Sequence, residues 1–197
     1  TRPEIESNLG VPIESSYALL TYHPDSVNPG RSLDQLRTVL KSIERFPDIQ
    51  FLVTGANSDF YGVEMNQFVK EISRRNRNLL FFDSMGQQNY LSLLSGAKFV
   101  LGNSSSGLLE APTFKVPTIN VGTRQDGRPR ANSVIDVECE ETSIAEAISR
   151  ALSEDFLRSI ENLQNPYGQP GASAKISDII ASLDDSKLLP KNYFKSQ

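Results

Sequence analysis

The sequence predicts an α/β fold, a parallel sheet covered by helices on both faces. Three observations carry this. Short apolar runs recur at 17–22, 51–55, 79–82, 99–101, 116–121 and 133–137, and most lack the polar alternation of a half-exposed strand, which marks strands buried on both sides. Segments with helical spacing lie between these runs, so strands and helices alternate about six times. Right-handed crossovers then place the helices on both faces of one parallel sheet.

Residues 1–16 are polar, with Pro3, Gly10 and Pro12, and read as a lead-in segment. Ile5 and Leu9, four apart, allow one short helix there. The first strand, Tyr17-Ala18-Leu19-Leu20-Thr21-Tyr22, stops at His23-Pro24-Asp25, because proline has no N–H for a sheet ladder. Ser32-Leu33-Asp34-Gln35 has the form of a capping box, and Leu33, Leu36, Val39, Leu40, Ile43 and Phe46 follow helical spacing up to Pro47. Phe51 to Gly55 is the second strand, and its loop carries Asn57 and Asp59. Met65, Phe68, Val69 and Ile72 mark the next helix, whose end is rich in arginine, as the helix dipole favours.

Leu79 to Phe82 is the third strand, and Tyr90, Leu91 and Leu94 fall on a short helix. Phe99-Val100-Leu101 is the fourth strand, Val116 to Val121 the fifth, and Ser133 to Val137 a short sixth. A second capping box, Ser143 to Glu146, opens a helix carrying Ile144, Ile148, Ala151 and Leu152. A Pro- and Gly-rich loop at 165–171 precedes a last helix with Ile176, Ile179, Ile180 and Leu183. The expected organisation is a lead-in at 1–16, one domain at 17–183 and a tail at 184–197.

Composition narrows the function. The chain has 197 residues, 38% of them hydrophobic, which suits one folded domain. A net charge of −4 and the lack of a basic cluster argue against a nucleic-acid partner. One cysteine, Cys139, fits a reducing compartment, and one cysteine with one histidine makes no structural zinc site. There is no long apolar run or signal-peptide pattern, so a cytoplasmic protein without a membrane partner is expected. The chain starts Thr1-Arg2-Pro3 without an initiator methionine and is expected to be part of a longer polypeptide.

The chemistry is expected at Gly102-Asn103-Ser104-Ser105-Ser106-Gly107 and the following Leu108-Leu109-Glu110-Ala111-Pro112. A strand, a small polar turn and a helix start bring N–H groups and a helix dipole toward an anion. The serines add hydroxyl donors, and Glu110, about one helical turn in, suits two vicinal hydroxyls. Phosphate beside sugar hydroxyls suggests a nucleotide. A tight connection with an N-cap serine has the same sequence appearance. Ligands of parallel sheets bind beyond the carboxyl ends of the strands, which gathers His23, Asn57, Met85, Ser104 to Ser106 and the loop after Val121 onto one rim. His23, the only histidine, could donate to a diphosphate or move a proton near neutral pH, or serve a structural role. The loop from Gly122 to Arg130 carries three arginines, whose planar forks suit phosphate. Neither a Walker-type phosphate loop nor a Gly-x-Gly-x-x-Gly turn is present, which argues against an ATPase of that class and a nicotinamide dehydrogenase.

Taken in order, Thr21-Tyr22-His23-Pro24, the 102–107 turn, Glu110-Ala111-Pro112, Val116 to Asn120 and Gly122-Thr123-Arg124-Gln125-Asp126-Gly127-Arg128 resemble the UDP-N-acetylglucosamine 2-epimerases. The likeness is nearest the hydrolysing, sialic-acid-pathway branch, covers about residues 5–183, and includes Asn165-Pro166-Tyr167-Gly168 and Ala172 to Ile176. It implies the second Rossmann-like domain of a two-domain, glycosyltransferase-B-type enzyme, whose partner is a missing N-terminal domain of the same polypeptide. By that resemblance Ser104 and Ser105 hold the UDP diphosphate and Glu110 the ribose. Met85 meets uracil through its backbone, Arg124 lies beside the nucleotide, His23 sits at the phosphate and sugar side, and Asn57 matches a position in the nucleotide or regulatory region. The implied reaction eliminates UDP from UDP-N-acetylglucosamine to give a glycal, which water converts to N-acetylmannosamine. It requires no metal or redox cofactor. A non-hydrolysing epimerase, an enzyme for 2,4-diacetamido sugars, a UDP-sugar glycosyltransferase and a non-catalytic nucleotide-binding module remain as alternatives, and a homo-oligomer is possible.

Overall fold

A computed structural model describes residues 2–25, 29–57, 60–169 and 171–183. Asp59, Pro170 and the tail at 184–197 lie outside the described residues. The described residues fall into two compact units, divided between Tyr167 and Gly168.

Six strands form one parallel sheet in the larger unit: β1 (Tyr17–Thr21), β2 (Gln50–Thr54), β3 (Leu79–Phe82), β4 (Val100–Gly102), β5 (Thr118–Val121) and β6 (Val134–Val137). Their order is β3-β2-β1-β4-β5-β6. The chain therefore builds outward from β1 in one direction, then returns to its other side at β4. Such a reversal opens a crevice beyond the strand ends. Successive side chains point to opposite faces, and the unalternated runs supply both. Ala18, Leu20, Phe51, Val53, Leu101, Ile119, Val121 and Ile135 enter one core cluster. Tyr17, Leu19, Leu52 and Val100 enter the other.

The first cluster is closed by α2 (Ser32–Ile43), α3 (Phe60–Ser73), α6 (Glu141–Ala151) and α7 (Glu154–Ser159). The second takes Ile5 from α1 (Arg2–Leu9) and Leu93 and Leu94 from α4 (Gln87–Leu94). The smaller unit contains α8 (Ala172–Ser182), whose Ile176, Ile179 and Ile180 are exposed. Among the described residues no helix is long and apolar enough to cross a membrane.

Three local expectations differ from the structure. Ser32 is the first residue of α2 rather than its cap: the cap is Arg31, and the buried Ser32 hydroxyl accepts the Asp25 N–H at 3.0 Å. Helix α6 starts at Glu141, two residues before Ser143, so Ser143 lies inside it and its hydroxyl faces the Glu140 carboxylate at 3.5 Å. The helix after the serine turn, α5 (Ser106–Leu109), is a single turn, followed by a 3-10 turn at Ala111–Phe114. Pro112 explains the break, since its ring clashes with the carbonyl four residues back and it has no N–H to continue the ladder. Helix α7 was not apparent from the sequence, because six residues are too few to show a period.

Candidate functional site

The turn after β4 begins with a backbone constraint. Gly102 pairs with Thr21 on one side and Asn120 on the other, at φ +129°. A Cβ placed there would lie 2.0 Å from the Thr21 carbonyl oxygen. At Gly107 a Cβ would lie 2.5 Å from Thr118 Cγ2, and the Thr118 hydroxyl donates to the Gly107 carbonyl at 2.9 Å. The two glycines that bracket the serines thus let the turn press onto neighbouring strands.

Between them Asn103 is 2% exposed and acts as a junction. Its Oδ1 accepts the His23 N–H at 2.7 Å, and its Nδ2 donates to the His23 carbonyl at 2.9 Å. Its own carbonyl accepts from Arg124 Nη1 at 3.1 Å and from Gln125 Nε2 at 2.7 Å. The Asn57 N–H reaches His23 Nδ1 at 3.3 Å. His23, Asn57, the serine turn and Arg124, gathered by the rim rule from four separate loops, therefore meet at the carboxyl ends of β1, β2, β4 and β5. His23, Arg124 and the three serines are half-buried, and Asn57 is exposed.

The loop arginines divide. Only Arg124 reaches the serine turn. Arg130 is held by Asp136 at 2.7 Å and Asp126 at 3.2 Å, and its Nη1 donates to the Arg128 carbonyl at 2.8 Å, so it braces the loop. Arg128 is exposed.

The helix-dipole part of the sequence reading weakens here. Within the turn, Ser104 Oγ accepts the Ser106 N–H at 3.4 Å, and the N–H groups of Gly107 and Leu108 bond the carbonyls of Ser104 and Ser105. One turn of helix also sums few peptide dipoles. The donors that the rim presents are therefore the serine hydroxyls, the imidazole and the guanidinium. Glu110 closes α5 and opens the 3-10 turn, half-buried, rather than lying inside a helix.

Tyr90 went unnoticed in the sequence as a site residue. Its phenol donates to Ser106 Oγ at 2.8 Å. Burial raises its pKa, and the Glu110 charge pushes the same way, so it remains a donor at neutral pH. Met85 is buried in the second cluster, and its carbonyl accepts Asn89 Nδ2 at 3.0 Å. That carbonyl keeps a second lone pair.

Beside Asn103 and Arg124 lies a small cavity of 90 Å³ that also touches Tyr22, Gln35 and Cys139. Burial raises the Cys139 thiol above its ordinary pKa, with the neighbouring Tyr22 phenol and Arg31 acting in the opposite sense. The thiolate is the nucleophile. Cys139 is therefore expected to react with iodoacetamide at pH 7.5 several-fold more slowly than glutathione does, by timed mass spectrometry. An equal or faster rate would contradict the burial argument.

The sequence model of one family, described as UDP-N-acetylglucosamine 2-epimerase, matches residues 1–181. This chain belongs to that family. Among curated relatives, a Campylobacter jejuni protein named GDP/UDP-N,N'-diacetylbacillosamine 2-epimerase (hydrolyzing) is 34% identical over 156 residues, covering 79% of this chain and 40% of that protein. The polysialic acid biosynthesis protein P7 of Escherichia coli is 33% identical over 176 residues, 87% of this chain and 44% of that one. This epimerase-family chain thus spans less than half the length of either relative. A crystal structure of UDP-GlcNAc 2-epimerase from Neisseria meningitidis bound to UDP-GlcNAc superposes with a TM-score of 0.73 at 18% identity, over 92% of this chain and 49% of that one. At that identity the likeness establishes the shared fold.

Proposed function

We propose that this chain is the nucleotide-binding half of a cytoplasmic, hydrolysing UDP-N-acetylglucosamine 2-epimerase. The observation that carries the reading is the convergence of His23, Asn57, Ser104 to Ser106 and Arg124 around Asn103 at the strand ends. In this reading Ser104, Ser105 and Arg124 hold the diphosphate, Glu110 accepts from the ribose hydroxyls, the Met85 backbone meets uracil, and His23 faces the phosphate and sugar. Asn57 supports His23.

The reaction removes the C2 proton and breaks the C1–O bond, so the electron pair of the C2–H bond becomes the C1–C2 double bond and UDP leaves with its own. Water then adds across the glycal, oxygen to C1 and a proton to C2 on the opposite face, giving N-acetylmannosamine. Negative charge grows on the leaving diphosphate, so donors fixed around it lower the barrier. The base that takes the C2 proton is assigned to the other half of the polypeptide, and the substrate sits between the halves.

A second reading concerns the sugar. The name of the Campylobacter jejuni relative, a diacetylbacillosamine 2-epimerase, supports a 2,4-diacetamido UDP-sugar as the substrate here.

Calorimetry with UDP tests the binding half. The 197-residue chain is expected to bind UDP, with Glu110→Ala weakening it about tenfold, as loss of a hydrogen-bonding charge does. Equal affinity of the two would remove Glu110 from the site. The isolated chain is expected to release no UDP from UDP-N-acetylglucosamine. In the longer polypeptide, product analysis separates the outcomes: UDP with free sugar supports hydrolysis, whereas retained nucleotide sugar makes it the non-hydrolysing type. Running both candidate sugars ranks the substrates.

A further inference from the structure

We propose that Asn103 is the positioning residue of the rim: one side chain brackets the main chain of His23 while its own carbonyl gathers Arg124 and Gln125, setting the imidazole and the cation on either side of the serine turn. The inference deepens the reading of this rim as a diphosphate site and rests on it.

The bracket lies beyond the end of the strand ladder. Strands β1 and β4 are already registered through three pairs, ending at Thr21 with Gly102, and the Asn103 N–H adds a bond to the Thr21 carbonyl at 3.2 Å. The sheet needs nothing beyond that. Yet the next side chain reaches past the ladder and takes both polar groups of His23, donor and acceptor alike. A carboxamide offers an acceptor and a donor side by side on one short, planar group. Serine could satisfy one side at this reach, and aspartate carries acceptors only.

The bracket controls the imidazole in two steps. It fixes the His23 backbone, and Asn57 N–H then fixes Nδ1 as an acceptor. A neutral imidazole that accepts at Nδ1 carries its proton on Nε2. His23 is thereby held as an Nε2–H donor in one orientation. On the other flank, the Asn103 carbonyl is shared by a guanidinium and a buried amide: Gln125 is 1% exposed and Arg124 half-buried. A single residue thus ties the loops after β1, β4 and β5, and the groups it ties are the ones suited to phosphate.

The chain has one histidine, so its imidazole nitrogen resonances report His23 alone. In the unaltered 197-residue chain, ¹⁵N spectra at high pH should show the Nε2–H tautomer predominating. In Asn103→Ala the tautomers should mix, and calorimetry should show UDP binding weakened about tenfold, the scale on which misplaced binding groups lose effect. Asn103→Asp keeps the acceptor for the His23 N–H and loses the donor, so it should retain more of the parent tautomer than alanine does. A folded Asn103→Ala chain with the parent tautomer and the parent UDP affinity would overturn the proposal. Unfolding of both variants would make Asn103 a staple of the fold and overturn it equally. If UDP binds none of the chains, the parent included, the nucleotide reading fails, and the tautomer alone then judges Asn103.

Discussion

Gly102→Ala is expected to destabilise the protein by about 3 kcal/mol, and to do so more than any other single-methyl addition along the rim. Two costs combine. A residue with a Cβ at φ +129° occupies a region open mainly to glycine, at about 1–3 kcal/mol. The added methyl would also sit 2.0 Å from the Thr21 carbonyl oxygen, which is backbone in the centre of the sheet. Overpacking of that kind costs about 1–3 kcal/mol where neighbours can yield, and a central strand yields little. Relief would require β1 and β4 to separate, which would also disturb the bonds between Asn103 and His23. Thermal and urea unfolding measure the effect, with Gly127→Ala as a comparison: that glycine also has positive φ, at +78°, but a Cβ there meets nothing within 4 Å. If the two variants lost equal stability, the close approach at Thr21 would carry no weight.

Arg124→Ala is expected to weaken UDP binding roughly 10- to 100-fold. A hydrogen bond from a charged donor to an ionised phosphate contributes about 1.5–3 kcal/mol, which spans that range of affinity. The Asn103 carbonyl keeps its bond to Gln125 in the variant. Arg130→Ala separates charge from position. It removes the same charge from the same loop, but from a side chain committed to Asp126 and Asp136, so its effect on UDP should be much smaller. Equal losses in the two variants would show that the loop acts through net charge rather than through Arg124.

Much of this architecture was legible in the residues. Unalternated runs such as Tyr17 to Leu20 and Phe51 to Val53 marked buried strands, and the structure distributes their alternate side chains to two cores as expected. The rim rule gathered His23, Asn57, Met85, the serine turn and the loop after Val121 without any motif; hydrogen bonds join His23, Asn57, Asn103 and Arg124, whereas Met85 is buried in the second cluster. Other features depended on contacts far apart in sequence and were not legible. Ser32 looked like a cap because its local pattern fits one, but a partner seven residues earlier took its hydroxyl. Glu110 looks helical because Leu108 and Leu109 do, but Pro112 ends the α-helical ladder within one turn. The bracket at Asn103 could have been suspected, since an amide directly after a strand-ending glycine can staple a neighbouring loop. Which loop it staples depends on strand order, which local pattern does not encode.

Strand order also carries a consequence for how the rim arises in time. His23 and Asn103 are 80 residues apart, and β1 meets β4 only after β2, β3 and their helices have been made. Closing such a loop costs entropy before any contact repays it. A nascent chain emerging from the ribosome can therefore pack β1 against β2 long before its histidine is gripped. On the proposed reading, UDP affinity should therefore appear only after β4 has joined β1, later than the pairing of β1 with β2.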